Sequence, residues 1–519
     1  MKLLKLITTI LFIGVTTLYA QSWQPDRKEL SASLGFLSSP LLEGREAGEK
    51  GCFIAAEYIA SMMEMYGLIP LENKLYGQAG YFQNFDVIRS KSERYELTFI
   101  TSQNSTKLID GVDFIAKDIN RSVELEASIV FAGYGISFPE DGYDSYRGLD
   151  VKGKIVVIID GIPEVSSNDT TSSQYKMLKA IKEKDTRLSA KRKMAAARGA
   201  VAMLVVNLNG SLQSNVAVNS ALANESSSRS LFPIYKDHSY SLASDGISQY
   251  LPCLMLSKHA SKLLFFANEN MELMELDSRL EISKLPSVSL KPVRVRLAAN
   301  IENEAVRVRN VLGMVKGVDT TKHIVLAAHY DHLGRRGNAI YSGADDNASG
   351  VAGLLAIAKY WSAKNEKPAC NIIFAAWTAE EKGMLGSRYF VQTFPNVKQD
   401  ILLNINFDMI SRPDAEDVEN KTVYIGILKN RKDLRATVEQ NNARLNKPFI
   451  LDIWETYGNG GSDYIAFAEH QIPVIAFFSG MHNDYHLPLD TKEKIDMDRM
   501  VRIVTFANSC LTQFVQKDK

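Results

Sequence analysis

Five short segments in the C-terminal half of the chain each carry residues with metal-ligating or acid–base chemistry, most of them directly after an apolar run. They are residues 323–332 (HIVLAAHYDH), 343–350 (GADDNASG), 371–381 (NIIFAAWTAEE), 401–409 (ILLNINFDM) and 473–491 (PVIAFFSGMHNDYHLPLDT). Strand-length apolar runs that alternate with helical stretches, such as residues 348–361, require a mostly parallel twisted sheet with helices on its faces. In an open sheet of that kind, functional groups gather just beyond the carboxyl ends of the strands. The five segments therefore predict an α/β fold with one shared pocket.

With 519 residues the chain exceeds a single core, and its 45% apolar and 23% charged residues are ordinary for globular domains. Residues 30–42 and 51–66 show helical periodicity on either side of the turn-prone Glu43-Gly44-Arg45-Glu46-Ala47-Gly48. Ile54, Ala55, Tyr58, Ile59, Met62 and Met63 form one stripe there, ended by Gly67 and Pro70. From about Val123 the texture turns to short β-rich pieces separated by polar stretches, and residues 166–173 and 211–230 read as loops. Residues 175–199 are charged and alanine-rich, which predicts a helix with its Lys and Arg residues in water. The character changes back near residues 296–310. The reading is a β-rich block, residues 123–296, inserted between an N-terminal part (21–122) and a catalytic part (297–519) of one α/β domain.

Residues 1–20 are read separately. Lys2 and Lys5 precede an apolar run over residues 6–15, and Leu18-Tyr19-Ala20 offers a small residue for cleavage, which is the layout of a secretory signal peptide. The expectation is cleavage after Ala20, export to the periplasm or the extracellular space, and no stable membrane insertion afterwards. Loss of Lys2 and Lys5 leaves 58 basic against 60 acidic residues, a formal charge of −2 that argues against nucleic-acid binding by bulk electrostatics. Cys52, Cys253, Cys370 and Cys510 are scattered, with no C-x-x-C pair, and read mainly as small buried apolar residues.

The chemistry lies where the runs stop. His329 directly follows an apolar run, and Asp331 is placed to hold its second ring nitrogen and fix the tautomer. Asp345-Asp346 precede Asn347 and a helix; capping explains one acidic residue there, but not two. One of them suits bridging two cations. In Glu380-Glu381, one carboxylate suits a metal while its neighbour takes a proton from water. Asp408 ends a run where an ionised group needs a buried partner. His482 or His486 supplies a further imidazole, with Asp490 close behind. Two imidazoles and three carboxylates suit zinc, with manganese or cobalt as substitutes, and do not suit copper(I) or an iron–sulfur cluster. A pair of divalent ions would clamp a carbonyl and activate a bridging hydroxide, so the reaction class is hydrolysis.

These motifs resemble those of the zinc aminopeptidases of peptidase family M28, in order and approximate spacing, and LLEGREAGEKGCFIAAEYI resembles that family's N-terminal signature. The resemblance implies two zinc ions per chain, peptide substrates and removal of N-terminal residues. It implies that Asp346 bridges the metals, that His329 and Asp408 complete one site and Glu381 and His486 the other, and that Glu380 is the general base. Asp331 and Asp490 would support these ligands from behind. A cis peptide bond between Asp346 and Asn347 is also implied. Ser462-Asp463-Tyr464 departs from the family pattern, where many relatives have a histidine third; the oxyanion donor is unassigned, with Tyr457 a candidate. Residues 133–161 and 191–206 are similar to a protease-associated (PA) domain, which implies a lid or substrate-selecting role for the insert. Two other readings are a carboxypeptidase of the glutamate-carboxypeptidase type, for which Arg335-Arg336 would bind a substrate carboxylate, and a metal-free binding protein. The short stretch after His486 leaves no room for the extra helical domain that the carboxypeptidase reading needs.

Overall fold

The computed structural model describes residues 23–71, 80–117, 119–163, 172–182, 186–206, 238–245, 251–265, 293–458 and 460–516. Residues 1–20 and the stretch 211–230 lie outside them. At the centre are strands β1 (Phe82–Ile100), β2 (Arg294–Val315), β3 (Asp319–His329), β4 (Cys370–Trp377), β5 (Ile401–Asp408), β6 (Thr422–Leu428), β7 (Ile450–Thr456) and β8 (Val474–Phe478). Their order across the sheet is β7-β6-β8-β5-β3-β4-β2. β4, β3, β5 and β8 are parallel, as expected for the apolar runs, while β2 joins β4 antiparallel and β6 joins β8 antiparallel. All eight residues of β4 are buried, the texture of a strand covered on both faces.

Register decides where the chemistry falls. Ala328 pairs with Ala376 of β4 and Phe407 of β5, His329 pairs with Trp377, and Asp408 pairs with Phe478. The four parallel strands therefore end level, and His329, Asp408 and the residues following Trp377 emerge along one sheet edge.

One face of the sheet is covered by helices α1 (Arg27–Leu37), α2 (Lys50–Met65), α3 (Gly350–Ser362) and α6 (Met497–Val515), the other by α4 (Leu385–Thr393) and α5 (Tyr464–Ala468). Ala55, Ile59, Leu355, Ile503 and Phe506 pack with Leu326 and Ile405 on the first face; Phe390, Ile465 and Phe467 pack with Val325 and Ile373 on the second. The first predicted helix is shorter than its sequence pattern. It stops at Leu37 because Ser39 and Pro40 open a separate 3-10 turn through Arg45. Along α2, Ile54 faces solvent and the buried stripe is Cys52, Ala55, Ala56, Ile59, Ala60 and Met63. All four cysteines are buried and stand outside any disulfide.

β1 and β2 form a long antiparallel ribbon, paired from Arg294 opposite Ile100 to Val311 opposite Phe82 with one register shift between Ala299 and Ile301. Cross-strand pairs such as Arg89–Glu304 and Arg307–Asp86 deck its wet face. At its far end, Arg294 to Ala299 pair with Val123 to Ser128, which starts a second run of strands, Ile155–Ile159, Ala202–Val206 and Cys253–Leu256, with Phe114–Lys117 at the edge. The core under them combines Ile155, Val157, Leu204 and Leu254 with Phe99, Leu108, Phe114 and Leu297. The predicted solvated helix is two helices, Ser173–Lys182 and Leu188–Ala196. Its expected wet face is partly wrong: Lys191 and Arg192 are buried, donating to the carbonyl oxygens of Gly161 and Leu251, which end strands and loops and need donors there. Among the described residues, no helix is long and apolar enough to cross a membrane.

Candidate metal centre

His329 leaves the end of β3 with Nε2 3.4 Å from Asp346 Oδ1 and 3.3 Å from Asp408 Oδ1. His486, in the loop after β8, has Nε2 3.2 Å from Asp346 Oδ2 and 3.4 Å from Glu381 Oε2. The two carboxylate oxygens of Asp346 thus face opposite neighbours. Two donor sets share that residue: His329, Asp346 and Asp408, and His332, Asp346 and Glu381, each with ligand atoms within 4.8 Å of one another. Every residue expected from the sequence to touch a metal lies in this cluster.

His332 was not expected. It is fully buried, and its Nδ1 lies 2.8 Å from Glu381 Oε1 and 3.7 Å from Asp346 Oδ2. The sequence HYDH contains it, but His329-Tyr330-Asp331 takes the eye as a unit and the fourth residue passes as loop. A second histidine three positions after the first was the signal available.

The paired residues separate cleanly. Asp345 turns away from the cluster and accepts hydrogen bonds from the backbone N–H groups of Ser411 and Arg412 at 2.9 and 2.8 Å. His482 sits 3.6 Å from Asp345 Oδ2, so the remaining late histidine joins the support of that loop and His486 joins the centre. Asp490 accepts from the N–H groups of Asp345 and Asp346, fixing the turn that presents Asp346. The Asp346–Asn347 peptide bond is cis. Asn347 bonds Gly350 N, Met409 N and Phe407 O, tying this turn to the end of β5 beside Asp408.

Asp331 acts differently from the sequence expectation. Its carboxylate stands 3.9 Å from His329 Nδ1, and the imidazole lies instead 3.2 Å from the Asp331 backbone oxygen. The carboxylate accepts from the N–H groups of Glu380 and Glu381 at 3.0 and 3.4 Å. It is an anchor for the two glutamates because both N–H groups emerge past the end of β4, where no strand partner remains. Arg45 gives a second anchor that the sequence does not disclose. Buried, it donates to the backbone oxygens of Tyr330, Ser342 and Gly343 at 2.7, 2.7 and 2.9 Å, and also to that of Leu37. It stitches the α1–α2 turn to both ligand loops.

Burial opposes every charge in this cluster, and neighbours decide the outcome. For His329, Asp408, Glu380 and Asp346 overcome desolvation and raise its pKa well above the usual value. His486 is likewise raised to about 11 against its burial, chiefly by Glu381 and Asp346. Burial and Glu381 push Asp346 upward, but the three imidazoles hold it below the usual range. Glu381 is held well below it by His486 and His332 despite burial. Glu380 goes the other way: burial, then Glu381, Asp463 and Asp408, raise it well above a normal glutamate. Asp463, fully buried, is pushed to about 7, mainly by desolvation.

A cavity of about 460 Å³ opens at the cluster, with His329, Asp346, Glu380, Asp408 and His486 on one side. Tyr424, Trp454, Tyr464, Phe477, Phe478 and Met481 form much of the rest. Tyr485 also lines it, with its ring stacked on His486 at 3.8 Å. Tyr457, the sequence candidate for an oxyanion donor, is 40% exposed and lies outside this lining, under Lys429. Arg335 and Arg336 face Glu43 and Glu46.

The family model for peptidase family M28 matches residues 310–509, the stretch that carries every residue of this cluster. Residues 310–509 are an M28 peptidase domain. Over 176 residues, 33% of its length, this chain is 31% identical to a probable leucine aminopeptidase 2 of Aspergillus fumigatus, covering 33% of that protein. It is 32% identical over 172 residues to leupeptin-inactivating enzyme 1 of Streptomyces exfoliatus, covering 33% of this chain and 36% of the other. The chain thus spans about a third of the length of these curated relatives. The whole fold is similar to that of an aminopeptidase from Aneurinibacillus sp. strain AM-1, with a TM-score of 0.60, 18% identity, and coverage of 96% of this chain and 95% of that one. The fold, over nearly the whole chain, is therefore one seen in a solved structure.

Proposed function

We propose that the chain is an exported, zinc-dependent aminopeptidase that removes N-terminal residues with large apolar side chains from peptides. The observation that carries this reading is the clustering of His329 with Asp408 and of His486 with Glu381 about the two oxygens of Asp346, at the mouth of an aromatic cavity. The donors fit two zinc ions: nitrogen and carboxylate oxygen in borderline-hard combination, with Asp346 between them. The crowded carboxylates raise the pKa values of His329 and His486. Cations in the same place would supply counter-charge and leave the imidazoles neutral, as ligation requires. His329 and Asp408 would hold one ion, Glu381 and His486 the other, with His332 fixing the Glu381 carboxylate. Zinc supplies Lewis acidity toward a carbonyl and a lowered pKa for water.

Glu380 takes the proton from the attacking water at its carboxylate and returns it to the departing amine. Its raised pKa suits both steps, and the Asp331 bond to its N–H keeps it facing the cavity. Tyr485, whose phenol is kept neutral by burial and by the surrounding carboxylates, lines the cavity as a donor toward the developing oxyanion. The aromatic wall holds the N-terminal side chain. Among the described residues, neither Lys nor Arg lines the cavity, and recognition of a C-terminal carboxylate would need one. Arg335 and Arg336, engaged with Glu43 and Glu46, do not meet that need. This favours the amino end over the carboxypeptidase reading.

Residues 123–296 are read as a PA-like insert that borders the substrate cleft, and residues 1–20 as the export signal, which lies outside the described residues. The test is a panel of free and N-acetylated leucine, phenylalanine and alanine substrates with zinc and after chelation. The expected result is turnover of free-amine substrates only, lost on chelation and restored by zinc. Hydrolysis of blocked in preference to free substrates would reject the aminopeptidase reading.

A further inference from the structure

Among the residues by which the inserted block touches the M28 domain near the cavity is one arginine. Arg187, just before the helix Leu188–Ala196, donates from Nη1 to the Gly458 backbone oxygen at 3.0 Å and to Glu469 Oε1 at 2.7 Å. The other oxygen of Glu469 accepts from Arg388 of α4 at 2.9 Å. Glu469 immediately follows α5, whose first residue, Tyr464, lines the cavity together with Gly460, Gly461 and Ser462. The insert and the M28 domain therefore share one carboxylate, and that carboxylate sits behind the cavity wall.

The wall needs such an anchor. Gly458 and Gly460 adopt φ of 108° and 144°, a region open to glycine, and glycine imposes no conformation of its own. A Cβ on Gly458 would stand 2.6 Å from Glu469 Cγ, so its backbone rests directly on the ion-paired side chain. The Thr456 hydroxyl accepts from Gly458 N at 3.0 Å, and Arg187 takes the carbonyl on the other side. A further contact is apolar: Leu242 of the insert shares a hydrophobic cluster with Ala379, the neighbour of Glu380. The insert thus touches the ligand side through apolar packing and the aromatic side through a charge.

We propose that Arg187 is a positioning residue: by holding the Gly458 carbonyl and Glu469 it fixes the glycine wall of the cavity, so that the insert sets how tightly an N-terminal apolar side chain is held. This rests on the aminopeptidase reading above. A wall that samples other conformations reduces the competent fraction, and apparent affinity falls in proportion. The chemistry is untouched, because Arg187 reaches none of the reacting groups.

The experiment compares the full-length zinc-loaded protein with Arg187→Ala, Arg187→Lys, Glu469→Ala and the double alanine variant, using leucine and alanine p-nitroanilides. Arg187→Ala is expected to raise KM for the leucine substrate roughly 3- to 10-fold, with kcat within about 2-fold and less change for the alanine substrate. Lysine should restore part of the loss. The double variant should be no worse than Glu469→Ala alone, since both act through one joint. An unchanged leucine KM in Arg187→Ala, or additive losses in the double variant, would overturn the proposal. Hydrogen exchange of peptides spanning Gly458 and Glu469 gives a readout without turnover: exchange should quicken in Arg187→Ala, and unchanged exchange rejects the tether. If the native protein turned over no aminoacyl substrate, the aminopeptidase reading would fail, and the exchange comparison would still decide the tether.

Discussion

Truncating Trp454 should blunt the choice of N-terminal residue by a calculable amount. The cavity of about 460 Å³ has room for a full side chain, and Trp454 forms one wall of it beside Tyr424, Phe478 and Met481. An N-terminal leucine buries three more carbons there than alanine does. At about 0.8 kcal/mol for each buried methylene, that is ~2.4 kcal/mol, or a preference of roughly 60-fold in kcat/KM. Trp454 belongs to β7, the outermost strand of the sheet, and is only partly buried where it packs against the second-face core. Without the indole one side of the leucine remains wet. Loss of about half the burial, ~1.2 kcal/mol, would leave a preference of roughly 8-fold. The assay is kcat/KM for leucine and alanine p-nitroanilides in native protein and Trp454→Ala, at fixed zinc. A native ratio below about 3-fold, or an unchanged ratio in the variant, refutes the assignment of this cavity to the N-terminal side chain.

Three further outcomes follow from the same geometry. Glu380→Gln should retain zinc and lose roughly 100- to 10,000-fold in kcat, the usual worth of a positioned base; near-normal turnover in steady-state assays would contradict its role. Arg45→Met leaves the backbone oxygens of Leu37, Tyr330, Ser342 and Gly343 without their donor inside the protein, and should cost ~3 to 5 kcal/mol in a denaturant melt while weakening zinc binding; an unchanged midpoint would contradict it. Lys191 has its pKa pushed down to about 8 by burial. The unfolded value is ~10.4, so between those pH values the unfolded chain binds more protons and stability rises with pH. Below pH 8 the native state carries the whole penalty, ~3 kcal/mol before the hydrogen bond to Gly161 is counted against it. Lys191→Met should therefore raise the melting temperature at pH 7, and the gain should shrink toward pH 10; a variant no more stable at pH 7 would show the penalty is absent.

The sheet edge that carries the donor cluster was legible because its strands are covered on both faces. Such strands are written as unbroken apolar runs, and the polar residue that stops each run, His329 or Asp408, marks the sheet edge. What stayed hidden depends on partners far away in the chain. The choice between Asp345 and Asp346 is made by the N–H groups of Ser411 and Arg412, which no local pattern around the Asp pair contains. Arg45 reads as a turn residue because three of its acceptors lie beyond residue 329. The long ribbon of β1 and β2 was not seen either: its wet face carries Arg89, Glu304, Arg307 and Asp86, and this charge masks the strand alternation. Lys191 and Arg192 misled for the same reason, since their burial is set by the carbonyl oxygens of Gly161 and Leu251 rather than by their own helix.

If Asp346 joins two metal sites, as proposed, the metal content of the protein shows it. Elemental analysis of the purified protein, equilibrated with zinc and freed of excess, should give two zinc ions per chain, and Asp346→Asn should reduce both together with activity. One zinc or fewer in a fully active native protein, or two retained by Asp346→Asn, would contradict the account.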